Sequence, residues 1–215
     1  KTEETIVYTG DFKLRDGFTV SGGEILECDK LYIDCTFSEP IFNFPDKEKI
    51  ETEIIEWIDK EKKFGKNVII GAYSVGKAQE VIKLLNENSI IPIVSEEIDK
   101  ICKIYDENIK LNRIVRDSNE RYEDFVGVFE LKEINSKNSK NSNFSNTSFA
   151  LVTGWAMKYK FDIKAFPLSD HAGFYEILKY IKESKAKEVI CIGSSSYFIN
   201  YTRKIGINSK PLIRI

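Results

Sequence analysis

Residues 68–80 read VIIGAYSVGKAQE, and this stretch decides the fold of the chain. Its first three residues form a short continuous apolar run, which is typical of a strand buried on both faces of a sheet. A glycine-containing loop follows, and beyond it the apolar residues Val81, Ile82, Leu84 and Leu85 recur at helical spacing. A strand that leads through a short loop into a helix is the repeating unit of a parallel α/β fold.

The same alternation extends outward in both directions along the chain. Apolar and β-branched runs predict strands, and apolar residues at helical spacing predict helices. The predicted strands are 5–9, 31–34, 68–70, 90–94, 125–131, 149–153, 189–192 and 211–215, and the predicted helices begin near residues 46, 78, 96 and 173, with a last helix after the loop 193–196. The Asn-, Ser- and Lys-rich stretch 134–148 has too few apolar residues to order itself and predicts a mobile surface loop.

Composition narrows the classes of function. The chain has 215 residues, of which 42% are hydrophobic and 31% charged, so it can bury a substantial core. Its formal net charge of −2 gives no global basic field for nucleic acid, and any such contact is expected to be local. The four cysteines show no CxxC spacing, which favours reduced thiols in a cytoplasmic protein. The apolar runs are shorter than a membrane span needs.

The first residue is a lysine and the one methionine is Met157. We therefore expect a segment of the protein to precede Lys1.

Polar side chains recur just beyond the ends of the predicted strands, where parallel α/β sheets bind ligands. These side chains are Asp11, Asp34, Ser74, Lys77, His171 and Ser194. The position is suggestive of a site, although loops at strand ends are polar in any fold.

The two aspartates each allow two interpretations. Asp11 follows Gly10, and its two oxygens suit it to bridging metal ions, but an aspartate in a turn also bonds to the backbone. Asp34 follows the apolar Ile33 and needs a partner, because burying an unpaired charge is costly. A histidine N–H is one suitable partner, and a turn through Thr36 to Ser38 is the other.

His171 is the only histidine of the chain. One histidine cannot build a zinc site alone, because such sites need three or four N, S or O ligands. Taken by itself, a lone histidine is more often structural than catalytic. The neighbouring Ser169 and Asp170 fit capping of the next helix as well as delivery of the imidazole to a site.

The loop that ends at Lys77 contains glycines but is not a nucleotide-binding motif. A Walker motif has a Ser or Thr after the lysine, and this chain has Ala78, which lacks the hydroxyl that would hold magnesium. Backbone N–H groups and a lysine at a helix N-terminus still suit a phosphate. The loop therefore favours contact with polynucleotide phosphates over nucleotide hydrolysis.

Four motifs in order carry a family resemblance: YTGDF at 8–12, LYIDCTF at 31–37, GAYSVGKAQE at 71–80 and FPLSDH at 166–171. Together they resemble the β-CASP branch of the metallo-β-lactamase superfamily, which includes Artemis-like DNA cross-link repair nucleases, ligase-associated DNA exonucleases and RNA 3′-end processing endonucleases. The resemblance implies an α/β fold in which 1–40 and 161–215 form part of an αββα metallo-β-lactamase sandwich. Residues 41–160 would then be an inserted parallel α/β β-CASP cap.

The resemblance also implies roles. Asp11 matches the aspartate that bridges two zinc ions, Asp34 matches the acid that orients the motif histidine, and His171 matches that histidine, as a general acid or second-metal ligand. The resemblance further implies DNA or RNA as the substrate. The side chains expected to contact it are Ser74, Lys77, Ser169 and Ser194.

Two departures from the family pattern limit these roles. The family's His-x-His-x-Asp-His cluster precedes the Gly-Asp motif, so its ligands would lie on a preceding segment or a separate chain. Ile192 stands where many relatives have a third motif histidine, although Artemis-like members also have an aliphatic residue there. The sequence thus favours an exonuclease-like metal-dependent nuclease of which this chain is a C-terminal portion, inactive alone. The alternative is a non-catalytic nucleic-acid-binding or scaffold subunit; a serine hydrolase is disfavoured because no Gly-x-Ser-x-Gly occurs.

Overall fold

A computed structural model describes residues 3–134 and 146–212 of the chain. The chain divides into two compact units. The first unit comprises Lys1–Asp16, Ser21–Phe44 and Ser169–Ile215, and the second comprises Gly17–Val20 and Pro45–Leu168. The breaks after Phe44 and Leu168 fall a few residues beyond the domain boundaries expected near 40 and 160.

The elements of the described residues are named in chain order. The strands are β1 (Ile6–Tyr8), β2 (Lys30–Asp34), β3 (Asn67–Ala72), β4 (Ile93–Val94), β5 (Ile114–Val115), β6 (Val126–Glu130), β7 (Thr147–Val152), β8 (Lys164–Phe166), β9 (Glu188–Ile192) and β10 (Ser209–Pro211). The helices are α1 (Lys47–Lys63), α2 (Lys77–Glu87), α3 (Glu96–Tyr105), α4 (Leu131–Ile134), α5 (Phe174–Glu183) and α6 (Ser196–Lys204), with a 3₁₀ turn at Gly154–Met157. None of these helices is long and apolar enough to cross a membrane.

The first unit contains a four-stranded sheet in the order β1-β2-β9-β10, and all its neighbouring strands are parallel. Leu31 and Ile33 of β2 and Val189 of β9 are fully buried and pack with α5 and α6, mainly through Ile177 and Phe198. Each such side chain stabilises the unit by about 1.5–3 kcal/mol relative to exposure. The parallel arrangement brings the carboxyl ends of β1, β2 and β9 to one edge of this sheet.

The second unit contains a six-stranded parallel sheet in the order β5-β4-β6-β3-β7-β8. The central strand β3 is buried on both faces, as its apolar run predicts: Val68 and Ile70 pack in one core cluster, and Ile69 packs in another. Helices α1 and α2 contribute Ile54 and Ile82 to the first of these clusters. The predicted α/β fold with parallel sheets is confirmed.

Some element boundaries differ from those predicted. The strand predicted at 90–94 is only β4, because the Ile90 N–H bonds the Leu85 carbonyl at the end of α2 and Pro92 has no N–H to donate. The C-terminal strand predicted at 211–215 lies at Ser209–Pro211, while 213–215 fall outside the described residues. The two-residue strand β5 was not predicted, because Ile114 and Val115 are too short a run and are exposed.

The mobile loop predicted at 134–148 lies mostly outside the described residues, which omit 135–145. Its ends are ordered. Ile134 is buried at the end of α4, and Thr147 and Ser148 begin β7 with a backbone register against Asn67 and Val68. The loop prediction was therefore wrong at these ends.

Candidate active site

Three polar side chains of the first unit meet at the carboxyl edge of its sheet. Asp34 is the last residue of β2, Asp11 follows β1, and His171 lies in the loop before α5. The His171 Nδ1 atom is 2.8 Å from Asp34 Oδ2 and 3.9 Å from Asp11 Oδ1. One ligand atom from each residue lies within 4.8 Å of the others. The structure thus brings together the three residues that the sequence assigned to catalysis and metal binding.

The parallel pairing of β1 and β2 explains why Asp11 and Asp34 are neighbours. Tyr8 pairs with Tyr32, and the Thr9 N–H donates to the Tyr32 carbonyl at 3.0 Å. Strands β1 and β2 therefore end side by side at the same edge of the sheet. The Thr9 hydroxyl accepts a bond from the Asp34 N–H at 3.1 Å. Gly10 then turns the chain at a φ of +57°, in the left-handed region that favours glycine.

The two oxygens of Asp34 have different partners. Oδ1 accepts bonds from the Thr36 N–H at 3.0 Å and from the Thr36 hydroxyl at 2.6 Å, while Oδ2 faces His171. Both interpretations of Asp34, a turn and a histidine partner, are therefore correct at once. Burial raises the pKa of the Asp34 carboxyl, but the bonds from His171 and Thr36 and the charge of His171 outweigh it, so the net pKa lies below its usual value.

This environment fixes the state of the imidazole. Because an ionised Asp34 can only accept, His171 carries a proton on Nδ1 and presents Nε2 for metal binding or proton transfer. The Phe37 ring packs edge-on against the imidazole, with ring centres 5.7 Å apart and planes at 85°. The His171 side chain keeps 23% of its surface exposed, and the Asp11 side chain keeps 77%. The buried pair thus opens toward an exposed carboxylate.

Ser169 holds the backbone of His171. Its hydroxyl accepts a bond from the His171 N–H at 3.0 Å and lies 3.1 Å from the His171 carbonyl as donor. The interpretation of Ser169 or Asp170 as the cap of α5 is wrong, because the cap residue is Gly173 and its N–H bonds Glu176 at 2.9 Å. Ser169 is also buried, so any contact with substrate stays a prediction.

Arg15 and Glu176 form a second support for the same loop. The Arg15 Nη2 atom donates to the carbonyls of Ser169 and His171 at 3.0 and 3.1 Å, and Nη1 pairs with Glu176. Glu176 Oε1 accepts the N–H groups of Leu14 and Arg15 at 2.9 and 3.0 Å. The sequence does not predict this network, because its partners lie more than a hundred residues apart and no local motif marks them.

Ser194 and Ile192 lie at the end of β9 in the first unit. Ile192 pairs in register with Asp34, so an aliphatic side chain occupies the strand position where many relatives have histidine. The Ser194 hydroxyl is buried and has no hydrogen-bond partner among the residues that the structure describes. The assignment of Ser194 to substrate binding stays a prediction.

Ser74 and Lys77 lie in the second unit, in the loop after β3 and at the start of α2. Lys77 is only 7% exposed, and its Nζ atom lies 5.1 Å from the centre of the Tyr73 ring. Their contacts with substrate stay predictions. Glu80 of the same motif has a structural role: its carboxylate accepts the N–H groups of Phe18 and Thr19 at 2.9 and 3.0 Å.

The cluster of Asp11, Asp34 and His171 fits a divalent metal. Two carboxylates and one imidazole offer the O and N donors that zinc binds, and one such atom of each residue lies within 4.8 Å of the others. The His171 Nδ1 atom and Asp34 Oδ2 are already joined by their hydrogen bond, which leaves Asp11 and His171 Nε2 as the groups open to a metal. Since both oxygens of Asp34 already accept hydrogen bonds from His171 and Thr36, Asp11 is the carboxylate most available to a metal ion.

Several curated proteins are similar to this chain. It is 25% identical over 213 residues to a probable DNA ligase of Opitutus terrae, a match that covers 95% of this chain and 21% of that protein. It is 26% identical over 194 residues to the 5′ exonuclease Apollo of Gallus gallus, covering 87% and 40%. A match of 33% over 94 residues to the probable RNase MJ4 of Methanocaldococcus jannaschii covers 42% and 22%. The chain thus spans less than half the length of these relatives.

A solved structure shares the fold. A crystal structure of a protein of unknown function from Enterococcus faecalis V583 matches with a TM-score of 0.60 at 10% identity, over 99% of this chain and 57% of that chain. No family model matches the chain.

The fold and the site define a parallel α/β protein with a carboxylate–histidine cluster at its strand ends. With the motif order and the relatives above, this assigns the family: the chain belongs to the metallo-β-lactamase superfamily, in its β-CASP branch.

Proposed function

We propose that the intact protein is a metal-dependent nuclease that hydrolyses phosphodiester bonds of DNA or RNA in an exonuclease-like manner. The observation that carries this proposal is the Asp34–His171 pair, 2.8 Å apart, with Asp11 beside it. The names of similar proteins, a 5′ exonuclease and a probable RNase, support the same reaction class. We further propose that the first unit is part of the metallo-β-lactamase domain and the second unit is the β-CASP cap.

Hydrolysis of a phosphodiester needs a nucleophile, charge neutralisation and a proton for the leaving oxygen. Asp34 accepts a hydrogen bond from His171 Nδ1–H and stabilises the imidazolium form, so that Nε2 can donate a proton to the leaving oxygen. Asp11 would hold metal. We expect two zinc ions in the intact protein, which supply Lewis acidity and an activated water when bound.

The remaining functional groups follow from the same proposal. The other metal ligands would come from a preceding segment or a separate chain, because Asp11, Asp34 and His171 are fewer ligands than two zinc ions need. Ser74, Lys77, Ser169 and Ser194 would contact the polynucleotide. We also propose a cytoplasmic location, since all four cysteines are buried free thiols.

The test is nuclease activity and zinc content of the full-length protein and of three variants. We expect His171→Ala to lower kcat by about 10²–10⁴-fold with zinc content largely kept, because a general acid contributes on that order. Asp11→Ala should lower zinc content and activity together. Asp59→Ala, at an exposed position on α1, is the matched control and should behave as wild type. If both site variants keep wild-type activity, the assigned roles are wrong.

The solitary histidine supports a second candidate, a non-catalytic subunit that binds nucleic acid or acts as a scaffold. The two candidates differ in what they expect of any segment encoded upstream of Lys1. A His-x-His-x-Asp-His run there supports the nuclease, and a segment without it supports the scaffold.

A further inference from the structure

The second unit carries an exposed group of aromatic and basic side chains outside the site described above. It consists of Trp155, Lys158, Tyr159, Lys160 and Phe161, here called the aromatic–basic patch. Trp155 is 36% exposed, Tyr159 53% and Phe161 38%. Exposed aromatic side chains that lie side by side, as Trp155 and Tyr159 do, are a common feature of interaction sites.

The patch is a preformed platform. The 3₁₀ turn Gly154–Met157 begins at Thr153, whose hydroxyl accepts the Trp155 N–H at 3.4 Å. The Trp155 carbonyl then accepts the N–H groups of Lys158 and Tyr159 at 3.0 and 2.9 Å. These bonds place the Trp155 and Tyr159 rings 5.8 Å apart at an interplanar angle of 38°. Two aromatic side chains are thus held side by side with little entropy left to lose on binding.

The core clusters of the second unit do not include Trp155, Tyr159 or Phe161. The neighbouring strands β7 and β8 bury Val152 and Phe166 instead, and both are fully covered. The one described ring contact of Tyr159 is with Trp155, and Lys158 Nζ lies 5.8 Å from the Tyr159 ring centre. The exposed parts of these rings are therefore available to a ligand.

The charge around the patch is locally positive. Between residues 158 and 164 there are three lysines, at 158, 160 and 164, and one acid, Asp162, which sum to +2. The whole chain has a net charge of −2, so the charge of this segment is opposite in sign to that of the chain. Lys160 forms no ion pair with any residue that the structure describes. An exposed lysine between two aromatic residues is suited to a phosphate backbone.

We propose that the aromatic–basic patch binds a single-stranded polynucleotide, with bases stacked on Trp155 and Tyr159 and phosphates near Lys160. Proteins that bind single strands combine stacking side chains with a positively charged track. A duplex hides its base faces, so it cannot use the rings in the same way. The inference deepens the proposed function and rests on it, because it names an unpaired strand as the substrate form.

The main test is binding of a fluorescein-labelled oligothymidylate, and of its duplex, to the full-length protein in EDTA. We expect Trp155→Ala and Tyr159→Ala each to weaken single-strand binding by about tenfold or more, since stacking contributes about 1–3 kcal/mol per base. The duplex should be affected less. Tyr175→Ala, an exposed aromatic on α5, is the matched control. Wild-type affinity in both patch variants, or equal losses on the two probes, would overturn the proposal.

A spectroscopic test reads stacking directly. The chain has two tryptophans, so Trp57→Phe leaves Trp155 as the one reporter. Oligothymidylate and oligouridylate should quench its fluorescence, while unchanged emission at saturating oligonucleotide would contradict stacking. Lys160→Ala should lower the slope of log affinity against log salt by about 0.7, the value for one phosphate of a single strand. Lys100→Ala, exposed on α3, should leave that slope unchanged.

The outcomes separate this inference from the proposed function. If His171→Ala abolishes cleavage while the patch variants bind like wild type, the patch inference fails and the nuclease proposal stands. If the patch variants lose binding while the wild-type full-length protein, supplied with zinc, cleaves neither DNA nor RNA, the nuclease proposal fails and the patch stands.

Discussion

Asp34 decides what His171 can do, because it is buried and ionised beside the imidazole. Its Oδ2 atom accepts a hydrogen bond from His171 Nδ1–H, and its Oδ1 atom accepts two bonds from Thr36. Both oxygens of this carboxylate are thus bonded within the protein. The pair is buried and oriented, as the proposed acid–base role requires.

Asp34→Asn tests that orientation at constant shape. The amide offers N–H donors where the carboxylate accepts, so His171 is pushed to the other tautomer, with its proton on Nε2. We expect kcat to fall by about 10³–10⁴-fold, as at other histidine–aspartate pairs with the wrong tautomer. Circular dichroism should show an intact fold. Thr36→Val, which removes one of the two bonds to Oδ1, is the milder control, and an Asn variant as active as wild type would contradict the role.

The sequence predicted Asp11, Asp34 and His171 because each follows a strand end or motif that is visible locally. It did not predict Arg15 or Glu176, whose roles exist only after residues 161 apart become neighbours. The candidate site residues can be predicted from motifs along the chain, whereas the residues that orient them can be identified only from tertiary contacts.

At the scale of elements, the loop that carries His171 is held from two sides. Ser169 bonds the His171 peptide within the loop, and Arg15 bonds two loop carbonyls from outside it. Glu176 of α5 joins Arg15 to the start of its own helix. The position of the imidazole is thus coupled to the N-terminus of α5.

Arg15→Ala removes the outer support of this loop. Two loop carbonyls and the Glu176 carboxylate lose a donor, and we expect a loss of stability of about 1–3 kcal/mol with a fall in kcat larger than any rise in KM. Urea unfolding and steady-state kinetics measure the two effects. Arg15→Lys should rescue part of the stability but not the paired carbonyl bonds. Unchanged kcat in Arg15→Ala would show that the network does not position His171.

Asp99 of α3 gives the second unit a pH-dependent element. Its carboxylate accepts bonds from Arg113 at 2.7 Å and Lys103 at 2.8 Å. Burial raises the pKa of the Asp99 carboxyl, but the bonds from Lys103 and Arg113 and their two positive charges lower it by more, so the net pKa lies below its usual value of 3.8. The stabilisation is thus present above pH 3.8 and lost as the pH falls through the depressed pKa of the folded state.

Asp99→Asn should therefore weaken the dependence of the free energy of unfolding on pH in the acid range. We expect the variant to be less stable than wild type at pH 7 by about 1–3 kcal/mol, with the difference shrinking below pH 3.8, because protonated Asp99 no longer attracts Arg113. Urea unfolding followed at several pH values measures this. Glu107→Gln, exposed just beyond α3, is the control. Parallel profiles for Asp99→Asn and wild type would rule out the interaction.

Long elements were predicted, while some of the shortest were not. The helix Glu96–Tyr105 begins at the predicted residue, because its apolar spacing is regular, and the Ser95 hydroxyl caps it. Strand β8 was missed, because its three residues, Lys164–Phe166, show no period of their own. Such strands form because the sheet offers unpaired backbone groups at its edge, which is a property of the fold and not of the segment.

At the scale of the whole molecule, each unit has its own parallel sheet and core, and the chain passes between the units more than once. The parallel α/β class was predictable from alternating apolar patterns. The exact unit boundaries were not, since residues 17–20 belong with the second unit through the buried bonds from Phe18 and Thr19 to Glu80. Phe18 also packs in the core of that unit, so apolar burial and the bonds to Glu80 together hold a segment that sequence order places with the first unit.

Metal removal should act on the whole protein and not only on catalysis. A ligand that binds only the folded state stabilises it by RT ln(1 + [L]/Kd), about 2.7 kcal/mol at a hundredfold excess over Kd. We therefore expect EDTA to lower the Tm of the full-length protein and zinc to restore it. Asp11→Ala should shrink this shift, because it removes the most exposed oxygen ligand of the cluster, whereas Asp59→Ala should keep it. If the Tm shift were equal in the wild type, Asp11→Ala and Asp59→Ala, the metal would bind away from Asp11. The reaction proposed for Asp11, Asp34 and His171 would then also have to take place elsewhere.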